Sequence, residues 1–144
     1  MSTPGITHPV PPIWGTWKLR SIEEHTQTPM RGLQTSIATF TQREDGIHYI
    51  ADSLFSNGLN THVESLLRLD GRTYPITGSM FGDQVSAQQI APDSIQAEIR
   101  REGRISASIR FTVQDAGTVL ISDWEIVPEQ GPTITFSTIS DRQQ

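Results

Sequence analysis

The chain has no cysteine. That excludes disulfides, thiol nucleophiles and thiolate metal sites. It also has no run of basic residues, and with 16 Asp and Glu against 11 Lys and Arg its formal net charge is −5. An acidic domain of this kind lacks the electrostatic footprint for nucleic acid or an anionic membrane surface, so neither is expected as a partner. No apolar stretch approaches the roughly 20 residues of a membrane span. The opening residues, MSTPGITHPVPPIWG, lack both the charged and the apolar regions of a signal peptide, so a cytoplasmic location is the expectation. No helical period of useful length is found anywhere. There are four histidines, His8, His25, His48 and His62, none two residues from another. That spacing does not suit a zinc site. There is no Gly-x-Ser-x-Gly elbow and no phosphate loop. No metal and no cofactor is expected.

What remains is the material of a β-protein. The length of 144 residues suits one domain, and 35% hydrophobic with 19% charged residues suits a globular one. The stretch Gly46–Ile76, GIHYIADSLFSNGLNTHVESLLRLDGRTYPI, holds three strand-like runs separated by Asn57-Gly58 and Asp70-Gly71. Both dipeptides tolerate the positive φ of tight hairpin turns, so the stretch reads as a meander. Further strands are expected at Ile13–Ile22, Leu33–Gln42, Gln84–Ile90, Ser94–Arg101, Arg104–Gln114, Thr118–Val127 and Thr133–Ser140. Arg104–Gln114 alternates most clearly: Ile105, Ala107, Ile109, Phe111 and Val113 against Ser106, Ser108, Arg110 and Thr112. Short sequential turns favour an up-and-down order, and closure removes the exposed edges. The expected fold is therefore all-β, a closed or nearly closed antiparallel up-and-down barrel of about 8–10 strands spanning residues 13–142. Residues 1–12, rich in Pro and Thr, are expected to form an extended arm.

Four segments carry a family resemblance: GTWKL (Gly15–Leu19), DGIHYIAD (Asp45–Asp52), LDGRTYPITGS (Leu69–Ser79) and VQDAGT (Val113–Thr118). Together they resemble small bacterial lipocalin-like proteins, whose first strand carries a Gly-x-Trp. The resemblance implies a calycin-type barrel, with Trp17 packed across one end against Arg142 from the last strand. It implies no single activity. This chain departs from the pattern in reading Asp-Ala-Gly at 115–117, where that group tends to have Asp-Gly.

Counting two-residue loops fixes which side chains share a face. One face then carries Ile37, Thr39, Thr41, His48, Ile50 and Asp52, together with Val63, Ser65, Leu67, Tyr74 and Ile76. It is the more aliphatic face and is expected to be the interior. His48 and Asp52, four residues apart, would stand roughly 13 Å from each other at about 3.3 Å per residue, sharing a cavity without touching. In the second half, Ile109 and Phe111 face in. At Asp115–Gly117 two registers are open, and burial of Trp124 is preferred because an aromatic of that size contributes most when buried. Met80 and Phe81, in the loop Gly78–Asp83, are either a packed loop or a lid.

Two function classes follow. A binder would hold a small hydrophobic molecule against Ile50, Ser65, Leu67, Ile109, Phe111 and Trp124. A small-barrel enzyme, a cyclase or isomerase on a hydrophobic substrate, would use His48, Asp52 or Tyr74 to move a proton or polarise a carbonyl. A homodimer stays open in either case.

Overall fold

A computed structural model describes residues 13–24 and 32–143. The proposed arm at 1–12 lies outside the described residues. Ten strands run in sequence: β1 (Gly15–Glu24), β2 (Leu33–Arg43), β3 (Gly46–Phe55), β4 (Asn60–Leu67), β5 (Thr73–Thr77), β6 (Gln84–Ala91), β7 (Ser94–Arg101), β8 (Arg104–Gln114), β9 (Val119–Ile126) and β10 (Ile134–Arg142). Each pairs antiparallel with its neighbour, and β1 pairs with both β2 and β10, so the sheet closes on itself. The expected all-β barrel is what forms. Its only helical piece among the described residues is a single 3-10 turn at Asp115–Gly117. No helix among the described residues is long and apolar enough to cross a membrane.

Alternation accounts for the strongest strands. In β8, Ala107, Ile109, Phe111 and Val113 are buried, while Arg110 and Gln114 are exposed. The facing residues of β7, Ile95, Ala97 and Ile99, are buried opposite Phe111, Ile109 and Ala107. A three-residue loop at Arg101–Gly103 would have paired Ile99 with Ile105. The turn is instead tight, with Glu102 and Gly103 both at positive φ, and a bulge at Ile99/Arg100 takes up the slack. The apolar face is the same either way, because the slip is two residues.

One slip of a single residue does change the answer. Asn57-Gly58 is not a two-residue turn. Phe55 N–H donates to the Leu59 carbonyl at 2.9 Å and Gly58 N–H to the Phe55 carbonyl at 2.9 Å, which makes Ser56–Gly58 a three-residue loop. Gly58 sits at φ 88°, the left-handed position such a loop requires. Tyr49 therefore lies opposite Ser65, and His48 lies opposite Leu66 rather than Leu67. With a period of two, one extra residue exchanges the faces of β3 relative to β4. Val63, Ser65 and Leu67 point inward as expected. Their inward neighbours are Ala51, Tyr49 and Ile47, with Phe40 and Ala38 on β2. His48, Ile50 and Asp52, and with them Ile37, Thr39 and Thr41, are on the outer face, a correction of the sequence expectation.

One end of the barrel is plugged. Trp17 and Ile13 are fully buried, and the Trp17 indole N–H donates to the Ile13 carbonyl at 2.8 Å. The Arg142 guanidinium lies 4.3 Å from the centroid of the Trp17 ring, a stacked cation–π contact. Its Nε donates to the Gly117 carbonyl at 2.6 Å and its Nη1 to the Trp14 carbonyl. Gly15 is needed here: a Cβ on it would stand 2.9 Å from Arg142 Nη1, and its φ is 119°. The Trp17–Arg142 contact implied by the Gly-x-Trp resemblance is present.

Candidate functional site

The interior above the plug is not completely filled. Phe40, Tyr49 and Phe111 make a floor of tilted and edge-on rings, with centroids 4.9–6.1 Å apart. Above it lies a cavity of about 110 Å³. Its walls are mostly apolar, with Leu67, Ile76, Val85, Ala97 and Ile99 among them. Phe81 and Trp124 form the roof, meeting at 5.7 Å, and Phe136, outside the lining, stacks nearly parallel on Trp124 at 5.6 Å. Phe81 belongs to the 78–83 loop. Gly78 lets that loop start hard against β4, since a Cβ there would meet the His62 carbonyl oxygen at 1.8 Å. The loop is tied down by Arg101, which donates to the Met80 carbonyl at 2.7 Å, and by Ser106, which donates to the Phe81 carbonyl. Met80 is 41% exposed on its outer side.

Polar groups reach the cavity as hydroxyls. None of the described residues lining it is Lys, Arg, His, Asp or Glu. Ser65 is 5% exposed and its Oγ has no hydrogen-bond partner among the described residues. Tyr49 stands beside it on β3. Burial pushes the Tyr49 phenol up to about 12, so it is a neutral hydroxyl at any physiological pH. It was not among the residues singled out from sequence, because the β3 face was assigned the other way. The available signal was that Phe40, Tyr49 and Phe55, three of the chain's few large aromatics, share one face.

Five of the residues expected to touch a ligand, Ser65, Leu67, Ile109, Phe111 and Trp124, line this cavity. At the ambiguous turn, the register that buries Trp124's side of β9 is the one adopted, with Ser122 buried and Asp123 exposed. Ile50 is not on the lining; it pairs Glu64 on the outer face. The three residues considered for acid–base work do not meet in the cavity. His48 Nε2 is 3.3 Å from Glu64 Oε2, and Asp52 Oδ1 is 2.5 Å from His62 Nδ1, both on the outer wall. Glu64 Oε1 also reaches His62 Nε2 at 3.2 Å. The Asp52 and Glu64 bonds raise the His62 imidazole above its ordinary range, and the His62 and His48 bonds hold Glu64 below the usual carboxylate range. No group of three or more such side chains among the described residues is arranged to hold a metal ion. Tyr74 sits at the plugged end, where its hydroxyl donates to Asp70 and its ring lies 5.5 Å from the Arg68 guanidinium.

A ten-strand meander closed on itself, plugged at one end by a Trp–Arg stack and hollow towards the other, can be set against known proteins. No protein-family model matches the chain, and no curated protein matches it. Among solved structures, zebrafish ileal bile acid-binding protein complexed with cholic acid superposes with a TM-score of 0.56 at 11% identity, over 92% of this chain and 99% of that one. The fold is a calycin-type barrel. The siderocalin Ex-FABP matches at 12% identity over 92% of this chain and 74% of its own, with a TM-score of 0.46. Bovine odorant binding protein complexed with a selenium-containing odorant matches at 9% identity over 100% and 78%, with a TM-score of 0.49. At such identities the calycin-type likeness speaks to fold alone.

Proposed function

We propose that this calycin-type barrel binds a small hydrophobic molecule inside its cavity. The observation that carries the reading is the cavity itself: about 110 Å³ of unfilled interior with a predominantly apolar wall, roofed by a loop. Interiors are packed nearly as tightly as organic crystals, so an unfilled space of this size is costly unless it serves a ligand. Ser65, Leu67, Ile109, Phe111 and Trp124 are the proposed contacts. That a structurally similar protein was crystallised with cholic acid supports binding within this fold, without naming the ligand here.

The alternative of a cyclase or isomerase has less support. His48, Asp52 and Tyr74, the residues it would use, are outside the cavity. A group that moves a proton must come within hydrogen-bond reach of the substrate, and these do not line the space a substrate would occupy.

The test is a titration with p-xylene, followed by the methyl resonances of Leu67, Ile76, Val85 and Ile109. Saturable shifts at these methyls, lost in Ala97→Phe, which fills the cavity, are the expected result. Shifts that never saturate, or that fall on outer-face residues, overturn the reading.

A further inference from the structure

We propose that the molecule this cavity takes is uncharged, about the size of one six-membered ring, and carries one hydroxyl or carbonyl that hydrogen-bonds to Ser65. The inference rests on the binding reading above and narrows it to a chemical class.

Charge is decided by the wall. The described lining holds no cationic or anionic side chain, and its one titratable group, Tyr49, is a neutral phenol. A carboxylate or ammonium entering this space would lose its hydration without gaining a counter-ion. That loss costs several kcal/mol per ion even after relaxation. A neutral ligand avoids it.

The polar group is decided by Ser65. Four other buried serines have engaged hydroxyls. Ser86 accepts from Arg100 at 2.8 Å, Ser94 pairs with Thr112 at 3.2 Å, Ser106 donates to the Ile99 carbonyl at 3.2 Å, and Ser137 donates to Asp123 at 2.6 Å. Ser122 is buried on the same cavity wall, and Ser65 Oγ is the one side-chain polar atom among the described residues that is wholly out of solvent and without a partner. An orphaned buried hydroxyl costs about 1–3 kcal/mol, and such groups are rare. Ser65 faces the cavity from near the end of β4, directly opposite Tyr49, so two hydroxyl-bearing side chains stand on adjacent strands with their Cβ atoms about 4.5–5.5 Å apart. A serine hydroxyl can both donate and accept, which fits either an alcohol or a carbonyl. Size is decided by volume: an apolar cavity of about 150 Å³ admits benzene, and this one, at about 110 Å³, is of that order.

Three ring-matched probes at pH 7 test this: p-xylene (no polar group), p-cresol (neutral hydroxyl) and 4-methylbenzoate (ionised), each titrated by calorimetry. p-Cresol is expected to bind at least about tenfold tighter than 4-methylbenzoate. Ser65→Ala should lower the p-cresol to p-xylene affinity ratio about five- to tenfold, and Ser65→Thr, which keeps the hydroxyl, should restore it. The thermal transition of each variant reports that it is folded. If 4-methylbenzoate binds as tightly as p-cresol, the uncharged-ligand proposal is overturned. If the ratio is the same in Ser65→Ala, the role of Ser65 is overturned. If p-xylene binds saturably while p-cresol does not, this proposal fails and the cavity reading stands. If none of the three binds, both fail.

Discussion

At the Trp17 end the indole N–H is bonded to Ile13, and the Arg142 guanidinium is bonded to Gly117 and Trp14 and stacked on a fully buried ring. At the Phe81 end a loop held by Arg101 and Ser106 bridges an apolar hollow, and a buried serine faces that hollow without a partner. The same meander supplies both ends. The first end has each of those donors engaged and contributes to holding the barrel shut. The second leaves volume empty and a hydrogen bond unmade, which is the condition for taking up something else. Stability and the proposed binding are thus separated along the barrel axis, and substitutions at the two ends should not look alike.

The sharpest way to break this contrast is at the plug. Trp17→Ala should lower stability by about 3–5 kcal/mol in chemical denaturation. A loss below about 1 kcal/mol would mean that the stack does not hold the end closed. Between the ends, the buried Tyr49 phenol supplies a pH test. Its folded value, about 12, stands above the ordinary 10.0. Its contribution is therefore fully present below pH 10 and is lost as pH rises through about 12, in all about 2–3 kcal/mol. Tyr49→Phe should remove that part of the alkaline slope, and an unaltered slope would place the phenol in water. The plugged end also stores strain: Ala116 holds φ 55° in the turn whose Gly117 carbonyl receives Arg142. Ala116→Gly should raise stability by about 0.5–1 kcal/mol, read as a higher melting temperature. At the hollow, Ser65→Ala should not lower the stability of the ligand-free protein and should raise it by up to about 1 kcal/mol, because it removes an unpartnered buried hydroxyl and breaks no hydrogen bond. A loss above about 1.5 kcal/mol would show that Ser65 is engaged after all and would weaken the distinction between the ends.

How much of this could be read from the chain depends on what each feature rests on. The strands of the second half follow from local alternation, and β8 is legible residue by residue. The plug was legible only through the lipocalin-like resemblance that Gly15-Thr16-Trp17 carries, which implied Arg142 as the partner of Trp17. The face of β3 was not legible, because it depends on whether Ser56 joins the turn. Asn57-Gly58 suits a two-residue loop and a three-residue one equally, and only the Phe55–Leu59 pairing separates them. Counting aliphatics favoured the wrong face, since Ile37, Ile50 and Leu54 outnumbered what opposed them. The volume of Phe40, Tyr49 and Phe55 favoured the right one. Ser65 could be placed inward, but its lack of a partner is a property of several strands at once and has no local signature.

The Ser56–Gly58 loop has a consequence for how this protein can change over generations. Substitutions alter the cavity one side chain at a time, and most preserve the barrel. Deleting Ser56 would leave Asn57-Gly58 as a two-residue turn between Phe55 and Leu59, so Tyr49 would stay opposite Ser65 and His48 and Asp52 would stay outside. One residue inserted within β3 or β4 would instead turn every side chain beyond it to the other face unless a bulge absorbed it. The loop absorbs changes of length that the strands beside it cannot, and lineages descended from this barrel should gain and lose residues at Ser56–Gly58 rather than within β3 or β4.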